Sequence, residues 1–276
     1  MDGDYVQYIE NMDPEWIVGI QYMRAVRMNV LKKDGDTATL VDVSRGFMSF
    51  PKSLNKDAPG YLEENYDVLA GKYPEKWNEI VLVVDEQNRV DQKVLEHFGL
   101  LTDDDAIAFD EIIGKEYRIV LNDDFYQERD GFFTINGNPD NLIDLYNKES
   151  SYAIEIVGVL RPKDTVEFPV LQPGLIYSDE LATSIIEDAK NSTIVKAQKE
   201  AEYNVLTGEA FSQEEEEKER EMVLAALGAS EVPQMISIYP KNFEAKEEVL
   251  SYLDEYNEGK ADEDKIIYND LASTIT

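Results

Sequence analysis

The sequence predicts an α+β fold of split α/β type, with one α/β part assembled from both chain ends and a more β-rich part inserted between them. Three observations carry this. A strand–turn–helix unit runs from Ile80 to Gly99, and a second of the same kind runs from Met235 to Gly259. The stretch between them, roughly 102–231, has a strand-rich pattern of its own. The chain has 276 residues, 43% of them hydrophobic and 10% aromatic, enough for one large core or two domains of about 130 residues each.

The elements follow in order. Asp4–Met12 predicts a short helix with Tyr5, Tyr8, Ile9 and Met12 on one side. Residues 17–43 predict a long β-hairpin. Val18, Ile20, Tyr22, Val26, Met28 and Val30 alternate with mostly polar neighbours, Lys33-Asp34-Gly35-Asp36 turns the chain, and Thr37, Thr39, Val41 and Val43 share a face on the return. Pro51, Pro59, Gly60, Gly71 and Pro74 make residues 44–79 a loop region with one short helix. Ile80–Val84 has the character of a buried strand, and Asp85–Asn88 turns the chain. Asp91 caps a short helix bearing Val94, Leu95 and Phe98, which Gly99 ends.

In the inserted stretch, Thr102-Asp103-Asp104-Asp105 opens a helix through Ile112-Ile113 that stops at Gly114. Tyr117–Leu121 and Phe132–Ile135 read as strands, the second followed by an Asn136-Gly137 turn. Ser151–Leu160 reads as a strand with Tyr152, Ile154, Ile156 and Gly158 on one face and Ala153, Val157 and Val159 on the other. Ser178 caps a helix with Leu181, Ile185 and Ile186. Ser212 and Glu215 form a capping-box pair before a helix to Leu227, closed by Gly228. Near the C-terminus, Met235–Tyr239 is a strand, and Asn242 caps a helix with Ala245, Val249, Leu253 and Tyr256 at helical spacing. Gly259 ends that helix, and Ile266–Tyr268 returns as a strand.

Charge and composition narrow the chemistry. There are 58 acidic against 26 basic side chains, a net charge of −32, one His and no Cys. Disulfide modules, thiolate metal sites and Cys nucleophiles are excluded, and a single imidazole makes a zinc centre a poor expectation. Charge of this sign repels phosphate, so neither nucleic acid nor an anionic lipid surface is an expected partner. The 16 Tyr, 10 Phe and 2 Trp argue against disorder. The longest dense apolar stretch, Ile80–Val84, is far short of the roughly 20 residues that span a bilayer. Met1-Asp2-Gly3-Asp4 is acidic where a secretion signal is basic and then apolar, so the expectation is a soluble chain, either cytosolic or a segment of something longer.

Catalytic signals are weak. G-x-S-x-G, G-x-x-x-x-G-K-[ST] and G-x-G-x-x-G are all absent from the sequence. Asp103-Asp104-Asp105 and Glu214–Glu217 sit at helix starts, where carboxylates complement the backbone dipole. Asn122-Asp123-Asp124 with Asp130-Gly131 has calcium-ligand chemistry but not the spacing of a twelve-residue calcium loop. His97 has no Ser-centred motif in sequence reach. Two aromatic groups, Tyr61, Tyr66, Tyr73 and Trp77, and Phe125, Tyr126, Phe132 and Phe133, read either as core and loop packing or as a surface that grips an apolar or peptide ligand. No catalytic, cofactor-binding or metal residue is assigned, and the ligand or partner surface stays open.

Several phrases together resemble a family. They are Asn78-Glu79-Ile80-Val81-Leu82-Val83-Val84-Asp85 through Leu95-Glu96-His97-Phe98-Gly99-Leu100, then Phe109-Asp110-Glu111-Ile112-Ile113-Gly114-Lys115-Glu116-Tyr117, the strand ending Val157-Gly158-Val159-Leu160-Arg161, and Ile236-Ser237-Ile238-Tyr239-Pro240-Lys241-Asn242-Phe243. The chain resembles the large extracytoplasmic domain of MacB/FtsX-type ABC transporter permeases, especially those of Gram-positive bacteria. The likeness covers most of residues 78–276 and is weaker over 1–77.

The resemblance implies a porter-like subdomain from residues 1–101 plus 232–276 and an inserted β-rich subdomain, 102–231, with peripheral helices. It implies a place between two transmembrane helices, with Asp4–Met12 continuing from one and Leu271–Thr276 leading into the next. It implies no enzymatic activity and no cofactor in the domain itself. A separate cytoplasmic ABC ATPase would be the partner through the membrane part, and the domain would sit on the extracellular face of the cell membrane. The family's work is mechanotransmission, and its substrates include antimicrobial peptides, macrolides and lipoproteins, while some members activate cell-wall hydrolases. The expected ligand is therefore peptide-like or amphiphilic. Two rivals are a free-standing cell-surface ligand-binding or adhesion protein, and a hydrolase using paired carboxylates.

Overall fold

The computed structural model describes residues 2–55, 57, 59–101, 107–166 and 169–270. The first half begins with helix α1 (Gly3–Glu10) and strand β1 (Ile17–Met23). Strands β2 (Val30–Asp34), β3 (Thr37–Leu40) and β4 (Phe47–Ser49) follow, then helix α2 (Tyr61–Asn65), strands β5 (Tyr66–Gly71) and β6 (Glu79–Val83), and helix α3 (Gln92–His97). A 3₁₀ turn, Phe109–Glu111, leads to β7 (Glu116–Ile119), the short helix α4 (Asn122–Phe125), β8 (Tyr126–Arg129), β9 (Phe132–Ile135) and α5 (Ile143–Tyr146). The remainder is β10 (Tyr152–Pro162), β11 (Gly174–Tyr177), α6 (Asp179–Ala189), α7 (Thr193–Glu200), α8 (Glu216–Ala226), β12 (Met235–Pro240) and α9 (Phe243–Asn257). The fold is mixed α+β.

The apolar run predicted as a buried strand is the centre of the main sheet. Every residue of β6 is buried, because β6 lies between β10, to which it is parallel, and β11, to which it is antiparallel. Strands covered on both faces read as continuous apolar runs. Ile80, Leu82 and Val84 join a core closed by α3 and α6, while Val81 and Val83 join a second core closed by Tyr61, Leu62 and Tyr66. The sheet order is β3-β2-β7-β10-β6-β11-β4, and β5 shares the β7 edge of β10 farther along that strand. Strands of residues 1–101 and of 102–231 therefore interleave in one sheet, and the boundary expected at 101/102 does not part it. The chain ends do come together, in a separate two-stranded sheet of β1 and β12.

Local signals held where the partner was local. Gly35 takes φ +56 in the two-residue turn between Asp34 and Thr37, the place a type II′ hairpin turn needs glycine. The Asp91 carboxylate accepts from Lys93 N at 2.8 Å, and Gly99, at φ +64, ends α3. The Asn242 amide oxygen accepts from Ala245 N at 2.9 Å and caps α9.

Non-local pairing overturns other expectations. The hairpin of residues 17–43 shrinks to β2 and β3, because β1 leaves to pair with β12. The 44–79 region holds two strands, β4 and β5, that its prolines and glycines conceal. The expected alternation of β10 breaks at a register shift between Ile156 and Gly158, so Val159 faces the same core as Ile154 and Ile156. Gly158 sits there because a Cβ would lie 2.1 Å from the carbonyl oxygen of Lys72. The helix expected through Ile112-Ile113 is a 3₁₀ turn closed by Gly114 at φ +82, and Thr102–Asp105 lie outside the described residues, as do Leu271–Thr276. Ser178 precedes α6, but its hydroxyl donates to the Trp77 carbonyl (3.3 Å) and caps nothing. The capping box of Ser212 and Glu215 does not form, since α8 starts later with Glu215 itself at the N-cap. Ile266–Tyr268 is irregular chain fastened to α9, with Asn257 bonded to both the N–H and the carbonyl of Ile266 at 2.9 Å.

Candidate functional site

The aromatic groups do not form a ligand surface. Tyr61 and Tyr66 are buried in the core beneath α2, where the Tyr73 hydroxyl donates to the Tyr66 carbonyl (2.7 Å). Trp77 packs on the opposite core, edge-on to Tyr152 at 5.1 Å. Phe125 and Phe133 fall in two different cores, and of their group Phe132 alone is largely exposed.

The acidic candidates are used by the fold. Asn122 is buried and donates to the Leu227 carbonyl (2.9 Å) and the Ser192 hydroxyl (3.4 Å). Asp123 accepts from Thr193 N at 2.7 Å, capping α7 from a distant part of the chain. Asp124 accepts from Lys148 and Ser150. Partial burial acts to raise its carboxyl, but those bonds outweigh it and hold it below the ordinary carboxylate range. Asp130-Gly131, with φ +52 and +85, is the I′-like turn of the β8–β9 hairpin. Among the described residues no cluster of His, Asp and Glu could hold a metal ion. His97 ends α3; its carbonyl accepts from Lys32 Nζ at 2.7 Å, and its ring Nδ1 lies 3.9 Å from Asp42. Glu216, Glu217 and Glu219 lie in the first turn of α8, the placement expected of helix-start acids. Among the described residues, one open depression runs along the start of α8 and another beside the end of α9, both lined mainly by charged side chains.

The layer made by the chain ends has the most distinctive architecture. Asp2 accepts from Tyr5 N (2.9 Å) and starts α1, which buries Tyr5 and Ile9. Strand β1 pairs with β12 in the register Ile20 to Ile238 and Tyr22 to Ile236. Helix α9 buries Ala245, Val249 and Leu253, the last two in the same core as Tyr5, Ile9, Ile20 and Tyr22. Two tyrosines then clasp the helices. Tyr8 and Tyr252 stack at 4.2 Å and 19°, the Tyr8 hydroxyl donates to the Tyr252 carbonyl (2.8 Å), and the Tyr252 hydroxyl donates to the Tyr8 carbonyl (2.9 Å). Tyr256 packs on both Tyr5 and Tyr8 at 4.9 and 4.8 Å.

Burial pushes the Tyr5 and Tyr8 phenols up to about 12, so both stay neutral at neutral pH. Tyr268 donates to Asp254 at 2.5 Å, and that bond, together with burial, raises it to about 12. Ile266 and Tyr268 pack against the core that holds Tyr5, and Lys246 pairs with Asp270 at 2.8 Å. The first and last described stretches of the chain therefore meet in one layer. Sequence reading finds α1 and α9 but not their pairing; tyrosines at helical spacing on both, 5 and 8 against 252 and 256, are the signal that points to it.

The layer meets the main sheet along β1: the Gln21 amide donates to the Ser49 carbonyl (2.5 Å), the Ser49 hydroxyl donates to the Tyr22 carbonyl (2.8 Å), and Val18 packs on the core that holds Tyr61 and Tyr66. The chain leaving β4 reaches Lys52, which forms an isolated antiparallel bridge with Ile20, with N···O distances of 2.9 and 2.7 Å. At the far end of β1, Arg24 grips Asp179 at the start of α6 with two bonds of 2.6 and 2.8 Å. Among the described residues no helix is long and apolar enough to cross a membrane. Compared with known families and curated proteins, the chain matches no protein-family model and no curated protein.

Proposed function

We propose that this chain is the extracellular domain of a bacterial MacB/FtsX-type ABC transporter permease. The observation that carries the reading is the meeting of the chain ends. A domain inserted between two consecutive membrane helices must return its C-terminal end to the place where its N-terminal end left, and Tyr5 and Ile9 of α1 share one core with Ile266 and Tyr268. In this reading the porter-like subdomain centres on α1, β1, β12 and α9, and the main sheet with its peripheral helices is the inserted part. The domain itself carries out no chemistry. It relays motion driven by ATP hydrolysis in a cytoplasmic partner to the export or sensing of peptide-like or amphiphilic compounds. Its charge of −32 favours the approach of cationic peptides by long-range steering.

The native gene tests this directly. Hydrophobic segments of roughly 20 residues are predicted on both sides of the chain. A gene without them refutes the reading. A signal peptide plus a wall-anchoring signal in their place would favour a free-standing surface-binding or adhesion protein.

A further inference from the structure

We propose that the outer edge of β12 is a docking edge, which an extended basic segment of a partner protein joins as a third strand. The inference rests on the chain's own geometry and charge and stands or falls apart from the permease reading.

The parity of the β1–β12 ladder shows which backbone groups face outward. Ile20 exchanges both of its backbone bonds with Lys52, so neither its N–H nor its carbonyl is turned toward β12. Opposite residues of an antiparallel pair turn the same way, toward each other or apart. Ile238, the partner of Ile20, therefore aims its N–H and carbonyl away from β1. Tyr22 repeats the pattern: its carbonyl accepts from the Ser49 hydroxyl, so its partner Ile236 also faces outward. Among the described residues no strand pairs with that side of β12, and no hydrogen bond reaches the N–H or carbonyl of Ile236 or Ile238.

Other strand edges are covered. On β3, the Ala38 carbonyl accepts from Leu142 N (2.8 Å) and Ala38 N donates to the Asn141 side chain (3.3 Å). The outer side of β4 and the chain leaving it meet β1 through Ser49 and Lys52. Strand β12 has neither cover nor charge. Met235-Ile236-Ser237-Ile238-Tyr239 carries no charged side chain, whereas edge strands that resist pairing carry lysine, a bulge or an internal proline. Its prolines stand outside that run, at 233 and 240, and the six residues of β12 offer an edge of about 20 Å. Met23 and Met235, cross-strand partners exposed at 52% and 47%, add an apolar shelf that adapts to side chains of different shape.

Charge selects the occupant. Residues 1–23 and 235–270, which supply this layer, carry fifteen acidic and four basic side chains. Of the four, Lys241, Lys246 and Lys265 are already paired with Glu15, Asp270 and Asp262. A second copy brings the same charge to the same edge and is repelled, whereas a basic strand is attracted. In strand addition the main-chain bonds supply affinity and alternate side chains supply selectivity.

A short end-blocked peptide alternating lysine and valine is the probe, added to the purified chain. In the free chain the amides of Ile236 and Ile238 should exchange at least about tenfold faster than those of Ser237 and Tyr239, which by the same parity face β1. Saturating peptide should slow Ile236 and Ile238 by at least about tenfold. The same peptide N-methylated along one edge keeps its charge and loses the ladder, and it should bind at least about tenfold more weakly, as should a version with glutamate for lysine. Absence of binding by the lysine peptide, binding that leaves Ile236 and Ile238 unslowed, or equal binding of the N-methylated peptide overturns the proposal. Protection of these two amides that rises with chain concentration in the absence of peptide also overturns it, since the edge would then belong to a second copy.

Discussion

Removing the Tyr8 and Tyr252 hydroxyls separates two contributions that hold the chain ends together. In Tyr8→Phe the lost bond is the one to the Tyr252 carbonyl, and in Tyr252→Phe the one to the Tyr8 carbonyl. The Tyr8 carbonyl already accepts from Asn11 N at 3.1 Å, so it is not orphaned. The cost should therefore lie in the range of an ordinary net hydrogen bond, about 1 kcal/mol each. Each substitution deletes a different bond, so Tyr8→Phe with Tyr252→Phe should cost about 2 kcal/mol, with a coupling of at least about 0.5 kcal/mol because the rings stack at 4.2 Å. Alanine behaves differently. Tyr8→Ala and Tyr252→Ala delete the same stack, so their joint cost should fall short of the sum by about 0.5–1.5 kcal/mol.

A chain of this length is not assured of two-state unfolding, so the opening is best read locally, by amide exchange of the α9 core residues Val249 and Leu253. About fivefold faster exchange per lost hydroxyl corresponds to about 1 kcal/mol. Exchange of α9 that is indifferent to both phenylalanine substitutions, with fully additive alanine costs, would refute the clasp.

Three further predictions rest on other parts of the molecule. Gly158→Ala should destabilise by about 3 kcal/mol, because its Cβ meets the Lys72 carbonyl at 2.1 Å, whereas Gly114→Ala, whose nearest neighbour is Glu155 Oε1 at 3.9 Å, should cost only the backbone strain of about 1 kcal/mol; equal Tm losses would contradict the close approach of Lys72, just past the end of β5, to Gly158 of β10. Tyr5, Tyr8, Tyr66 and Tyr152, raised to about 12 by burial, supply stability that is whole below pH 10 and drains as pH rises through 12, so tyrosinate absorbance should lag behind that of the denatured chain between these values; coincident curves would contradict it. Asp123→Ala should cost about 1 kcal/mol through loss of the α7 cap, and millimolar calcium should leave Tm unmoved; a calcium-dependent Tm that the substitution abolishes would restore the metal reading.

What was legible in the sequence divides by range. The Gly35 turn, the Asp91 and Asn242 caps and the Ile80–Val84 strand each rest on residues within one element or its neighbours, and each stands in the fold. Pairing partners are another matter. Alternation marks Ile17–Met23 as a strand but cannot say that Ile20 faces Ile238 rather than the adjacent hairpin. The bulge at Val157–Gly158 reverses which face Val159 presents, and its cause is the backbone of Lys72, far off in sequence. Asn122-Asp123-Asp124 carries calcium-ligand chemistry without the spacing, and what Asp123 does instead is not readable locally, because its partner, the N–H of Thr193, belongs to a helix seventy positions away. Arg24 carries no signal in its own neighbourhood; its partners, Asp179 and the Glu231 carbonyl, are distant in sequence.

Thiol accessibility in intact cells tests most directly the proposal that this chain is an extracellular domain of a membrane protein. The native full-length protein, carrying Lys93→Cys as its accessible thiol and expressed in its own host, is treated in intact cells with a thiol reagent that cannot cross membranes. Labelling of a membrane-bound protein without lysis is the expected result. Labelling that appears only after lysis, or a protein recovered free in the soluble fraction, would contradict it.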